Sequence, residues 1–399
     1  MHSSLRADWV LPIAGPPLEG GSVTIEDGRI VAVEPTPPPG ATNLGRRVLM
    51  PGLVNAHTHL ELSYLRGRIP RAPRYTDWVR PLLAARRTPP DPETVAAGAT
   101  EAVGDAVESG TVLFGDVANS LGAVSALRAS RMAAHVFYEL LGFNTPEPVA
   151  RVTEARARIA AEQLAVADDG LEIRFSVAAH APYSVSPALF REIAAQASGP
   201  LAVHLGESPE EVEFLRTGLG PIRQTLESLG VWNGEWRVPE CDPVSYIADL
   251  GYLQPGALVV HGVHLTDDAL ERLRDADATL ITCPRSNLWV GSGPPRLSHF
   301  YACGVPVAVG TDSLASVATL NLWDELAEMR RLAPDVAPEC LLESATRIGA
   351  EGLGFGDDFG TLTAGKRAAL VAVDVPAAVG DVEEYLVSGV PADRVRRVA

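Results

Sequence analysis

The sequence predicts an α/β fold, a closed (β/α)8 barrel carrying a small β-sandwich module built from both chain ends. Apolar runs alternate with amphipathic helical segments, as the βα units of a parallel sheet require. At 399 residues the chain exceeds the roughly 250 of such a barrel by about one small module. Short strands separated by Gly and Pro turns occur only at the two ends. The expected division is 1–47 plus 360–399 for the module and 48–359 for the barrel. A doubly wound open sheet is the alternative topology.

At the N-terminal end, Ala7 to Ile13, Gly21 to Ile25 and Arg29 to Glu34 read as strands, with Asp27-Gly28 as a hairpin turn. Barrel strands are expected near 48–57, 111–117, 133–140, 171–179, 201–206, 257–262, 279–284 and 306–311. Helices are expected at 92–109, 147–165, 188–197, 209–229, 267–275 and 322–332, with Pro92 suited to a first helical position. Residues 231–242 break the helical pattern and form a candidate lid. The Gly360 to Lys366 turn and the strand-like Ala368 to Asp374 are expected to pair with the N-terminal strands.

Composition narrows the function. With 46% hydrophobic residues the chain can bury a large core, and a net charge of −17 disfavours nucleic acid or an anionic membrane. The expected partner is a small molecule, with homodimerisation left open. Cys241, Cys283, Cys303 and Cys340 form no Cys-x-x-Cys pair, so neither a disulfide framework nor a thiolate zinc site is expected. No secretory signal pattern and no run of about 18 apolar residues is visible, which makes the cytoplasm the expected compartment.

The chemistry begins in Met50-Pro51-Gly52-Leu53-Val54-Asn55-Ala56-His57-Thr58-His59. On a strand, His57 and His59 share one face, half of a metal site. Leu201-Ala202-Val203 delivers His204, a third nitrogen ligand, followed by Glu207, a carboxyl group able to reach substrate. Leu258-Val259-Val260 delivers His261, placed to orient a water or the substrate, and Val305 to Gly310 delivers Asp312, an anionic ligand and base. Each alone has a plainer explanation: packed strand histidines, a helix N-terminal charge at Glu207, an N-cap at Asp312 or Ser313. Together they converge on the C-terminal rim of a barrel, where such active sites form.

The Pro51 to His59 opening, His204 with Glu207, His261 and Gly310-Thr311-Asp312-Ser313 resemble the amidohydrolase superfamily, in its branch of nucleobase and nucleoside deaminases. The likeness covers nearly the whole chain. It implies one divalent ion on His57, His59, His204 and Asp312, with Zn²⁺ expected and Fe²⁺ the alternative. Binuclear members bridge their metals with a strand-four lysine, and the only lysine here is Lys366, in the terminal module. The resemblance also implies catalytic roles for Glu207, His261 and Asp312, and substrate contact by His180. A terminal turn that usually carries Asp after Gly-Lys-x-Ala here has Ala369, far from the expected site.

Finer likeness lies in His57 to Ser63, Ala179 to Ser186, His204 to Glu211 and Cys283-Pro284-Arg285-Ser286-Asn287. These stretches look most like aminodeoxyfutalosine deaminases, which convert 6-amino-6-deoxyfutalosine to futalosine and ammonia in menaquinone biosynthesis. Deamination of S-adenosylhomocysteine, methylthioadenosine, guanine or a triazine is the alternative, and a non-catalytic binding barrel the remote one. A benzoate-bearing substrate calls for a cation, and Arg285 is the expected partner; Arg66, Arg68, Arg71 and Arg74 crowd the loop after strand one. Trp78 and Tyr183, with Tyr64, Phe143 and Trp289, are the candidate stacking groups.

Overall fold

The structure, a computed structural model, describes residues 2–88 and 90–398. Eight parallel strands follow one another in chain order: β1 Leu53–Thr58, β2 Thr111–Ala118, β3 Ala133–Leu140, β4 Ile173–Ala179, β5 Ala202–Leu205, β6 Leu258–His261, β7 Thr279–Thr282 and β8 Val307–Val309. They form two four-stranded halves, β1 to β4 and β5 to β8. The halves meet at two seams. Thr311 and Asp312 donate backbone N–H groups to the His57 carbonyl at 3.1 and 3.0 Å, and His204 donates to the His180 carbonyl at 2.9 Å. Strands covered on both faces read as near-continuous apolar runs, and every residue of β1, β2 and β3 is buried, including a few polar ones such as His57, Asp116 and Glu139.

Both chain ends contribute to two small sheets. One holds Arg29–Glu34, Ser22–Glu26, His2–Arg6 and Thr42–Asn43; the other holds Val395–Arg397, Leu370–Asp374, Arg47–Pro51, Trp9–Val10 and Leu18–Glu19. Val10, Val23, Ile30, Leu49 and Leu370 from the two sheets share one apolar cluster. The Asp27-Gly28 turn has φ of 48° and 77°, the left-handed pair that a tight hairpin needs.

Several elements differ from expectation, each for a local reason. The strand expected at 48–57 is two strands: Arg47–Pro51 pairs with Leu370–Asp374 in the small sheet, and β1 starts at Leu53. The break falls at Gly52, where a Cβ would lie 2.2 Å from Val112. The helix expected at 209–229 is likewise two, Pro209–Thr217 and Pro221–Ser228, parted by Gly218 and Gly220 at φ of 67° and 90°. Tyr75–Arg86 is a helix that the arginine-rich, Pro81-containing sequence concealed. The candidate lid at 231–242 is packed aside: Trp236 stacks on Phe214 at 4.7 Å and Trp232 on Phe143 at 5.6 Å.

At the end of β2, buried Asp116 accepts hydrogen bonds from Leu60 N at 2.8 Å and Thr58 Oγ1 at 3.3 Å. Burial, reinforced by the Glu61 charge, pushes its carboxyl up to about 8. The folded state therefore holds a proton that the unfolded chain releases, so this group's contribution falls as pH rises from about 4 to 8. Asp116→Asn, which mimics the protonated acid, is expected to flatten that part of the urea-stability profile; an unchanged slope would contradict the assignment.

Gly310 and Gly104 make a second test. A Cβ on Gly310 would meet the His57 backbone N and O at 2.7 Å, whereas one on helical Gly104 meets nothing within 4 Å. Gly310→Ala should cost about 1–3 kcal/mol in chemical denaturation, and Gly104→Ala should stabilise by about 0.5–1 kcal/mol.

Candidate active site

His57 is the penultimate residue of β1 and His59 follows the strand, their ring centroids 4.9 Å apart. His204 arrives from β5 with its Nε2 at 3.3 Å from His59 Nε2. Its Nδ1 donates to the His180 carbonyl at 3.0 Å, which leaves the Nε2 lone pair facing His59. Asp312 follows β8 in a left-handed conformation, φ 62°, and places Oδ1 at 3.7 Å from His57 Nε2 and 3.5 Å from His59 Nε2. Its other oxygen accepts from Ser286 Oγ at 2.5 Å and Ser316 Oγ at 3.1 Å. The four side chains expected to form the metal site thus stand together.

Burial, followed by repulsion from neighbouring imidazoles, drives His57 well below its usual pKa. His59 is held down to about 3 and His204 to about 4, burial again being the first cause. Neutral imidazoles offer lone pairs, the form a metal requires. His57 Nε2 is buried without a hydrogen-bond partner, a cost that a cation would remove. The three imidazoles therefore could hold a divalent ion, and Asp312 Oδ1, within 4 Å of two of them, stands where it could join them.

Glu207 lies across from this cluster with Oε1 at 3.7 Å from His261 Nε2. Its carboxyl is pushed well above the usual range by burial first, then by the Asp312 and Glu211 charges, which favours the protonated form. Glu211 accepts from Gly206 N at 2.9 Å and Glu207 N at 3.0 Å, which fixes the backbone of the Glu207 turn. His261, strained at φ 77°, is held through Nδ1 by Asn287 Nδ2 at 3.0 Å. The stretch from Cys283 to Asn287 thus serves the site by an unexpected route: Ser286 grips Asp312, and Asn287 grips His261.

Arg285, between Cys283 and Ser286, turns away. Its guanidinium meets Asp324 at 3.4 Å and Glu325 at 3.6 Å and is absent from the cavity wall, so these two acids satisfy the charge expected to await a carboxylate. Arg66 pairs with Glu101 and Asp105, Arg71 lies over Trp289, and neither Arg68 nor Arg74 lines the cavity.

A cavity opens above the cluster. His59, His180, His204, Glu207, His261 and Asp312 line its polar end, while Trp78, Leu82, Leu83, Tyr183, Ile222 and Leu226 line an apolar one. His180, Trp78 and Tyr183 are thus in the wall as expected, and Tyr64, Phe143 and Trp289 are not. Residues 231–242 do not reach it; the Tyr75–Arg86 and Pro221–Ser228 helices cover that side.

Tyr75, Arg86, Asn119, Glu139 and Glu211 escaped the sequence reading. Tyr75 shares a 2.7 Å hydroxyl contact with Tyr183. Asn119 and Glu139 follow or end β2 and β3, so the rule that barrel sites form at strand C-termini would have flagged both.

Comparison with known proteins matches these features. The model of the amidohydrolase family covers residues 48–393. An aminodeoxyfutalosine deaminase of Deinococcus radiodurans is 31% identical, over 79% of this chain and 76% of its own. A 5-methylthioadenosine/S-adenosylhomocysteine deaminase of Moorella thermoacetica is 29% identical, over 92% of this chain and 84% of its own. A zinc-bound adenosine deaminase of Xanthomonas campestris superposes with a TM-score of 0.81 at 26% identity, covering 98% of this chain and 90% of the other. With a family model matching residues 48–393, most of its length, the chain belongs to the amidohydrolase family.

Proposed function

We propose that the chain is a metal-dependent hydrolytic deaminase of the 6-amino group of a 5′-substituted adenosine. Its preferred substrate in this reading is 6-amino-6-deoxyfutalosine, converted to futalosine and ammonia. The observation that carries the reading is the placement of Glu207: a buried carboxyl, its pKa raised by that burial, with Oε1 at 3.7 Å from His261 Nε2 and facing the cluster of three imidazoles and Asp312. Aminopurine hydrolysis needs such a proton donor, because the ring nitrogen must be protonated before its neighbouring carbon accepts water. The names of the Deinococcus and Moorella relatives support the adenosine class, and the second of them makes methylthioadenosine and S-adenosylhomocysteine the competing substrates.

When bound, a single divalent ion, Zn²⁺ for choice, supplies an activated water. His57, His59, His204 and Asp312 would hold that ion; the Asp312 carboxylate would serve as the base for the water, and His261 Nε2 would orient it. Glu207 gives its proton to the ring nitrogen and then relays one to the departing ammonia. His180, Trp78 and Tyr183 seat the substrate. We take residues near both chain ends as a supporting β-sandwich module. We also take the enzyme to be cytoplasmic and to act on free small molecules; no helix among the described residues is long and apolar enough to cross a membrane.

Glu207→Gln should retain the metal and lose about 10²–10⁴-fold in kcat; loss of metal in that variant would show that Glu207 is a ligand instead. Chelation should abolish turnover and lower Tm, since the ion binds only the folded chain, and added Zn²⁺ should restore both. The substrate is settled by comparing kcat/KM for 6-amino-6-deoxyfutalosine, methylthioadenosine, S-adenosylhomocysteine, adenosine and guanine. Preference for a different adenosine would keep the reaction and change the substrate.

A further inference from the structure

Among the described residues, Arg86 is the only lysine or arginine in the cavity wall. Its guanidinium donates through Nη2 to Asn119 Oδ1 at 2.8 Å, a neutral acceptor. Among the described residues no carboxylate lies within 4.0 Å of it, in contrast to Arg66 and Arg285. Asn119 cannot turn to release it, because its own Nδ2 is committed to the Glu139 carbonyl at 3.1 Å and to Glu139 Oε2 at 2.9 Å. The amide is therefore locked with its oxygen toward Arg86, and the guanidinium is aimed while most of its five N–H donors stay uncommitted. Half-buried at the end of the Tyr75–Arg86 helix, it shares its wall with Leu82, Leu83 and Leu141. A fixed cation of this kind, beside an apolar surface, suits a planar carboxylate carried on a ring.

We propose that Arg86 is the specificity-determining residue that binds the acidic group of the substrate, and that the cavity selects adenosines whose 5′ appendage ends in a carboxylate. The substrate used to state this rests on the deaminase reading above; the cation and its setting do not. Asn119 acts as a positioning residue, holding the guanidinium in line.

The test compares 6-amino-6-deoxyfutalosine with its carboxamide, which keeps the shape and removes the charge, on metal-loaded wild type, Arg86→Ala and Arg86→Lys. In Arg86→Ala the ratio of kcat/KM for acid over amide should fall on the order of 10- to 100-fold, chiefly through KM, as loss of a charge-assisted hydrogen bond predicts. Arg86→Lys should recover part of it, since it restores the charge without the fork. An equal loss on both compounds, or an unchanged ratio, overturns the proposal. Calorimetric binding of the same two compounds separates it from the deaminase reading. If wild type turns over neither compound, the deaminase reading falls. Tighter binding of the acid by wild type, lost in Arg86→Ala, then still supports Arg86, whereas equal binding of acid and amide overturns it.

Discussion

The seam between the first and last barrel strands is the contact on which the site depends. The His57 carbonyl accepts from both Thr311 N and Asp312 N, and the Asn55 side chain clasps Thr311 from the same strand, donating to its Oγ1 at 2.8 Å and accepting from its N–H at 3.1 Å. Gly310 lets the two backbones come close enough. These bonds do more than close a barrel. They bring Asp312 Oδ1 within 4 Å of two imidazoles and hold it there against an unfavourable backbone conformation.

Burial then decides the charge of everything nearby. Burial disfavours the charged form of each group, so the imidazoles are pushed down and the Glu207 carboxyl up, for the same reason. The result is a set of opposite tendencies within one cavity: imidazoles that favour the neutral, lone-pair form, and at Glu207 a carboxyl that favours the acid form. The supporting bonds come from the second layer, where Ser286, Ser316, Asn287 and Glu211 each fix one member. Orientation supplied this way needs no rearrangement when substrate arrives.

The barrel rhythm and the polar cluster were legible because both follow from local pattern. An apolar run ending in His or Asp carries its meaning within a few residues, and alternation fixes which side chains share a face. What could not be read was set by distant partners. Arg285 and Arg86 look alike in sequence; only the fold gives the first Asp324 and Glu325 and the second a neutral amide. The split at Gly52 was hidden for a similar reason, since Val112, far along the chain, is what a side chain there would strike. The packing of the aromatic loop at 231–242, a candidate lid, was also hidden, because irregular sequence does not reveal that Trp232 and Trp236 have partners in Phe143 and Phe214.

The β1 to β8 seam also sets the order in which the protein can become competent. His57 leaves the ribosome long before Asp312, and the intervening chain must be made before the loop between them can close. Until then the nascent barrel carries imidazoles with no carboxylate to complete them, and its first strand lacks one of its two neighbours. Joining Asp312 to the three imidazoles is therefore an event of the finished chain. A truncation anywhere before the eighth strand leaves His57, His59 and His204 without that carboxylate, however much of the remaining barrel still folds.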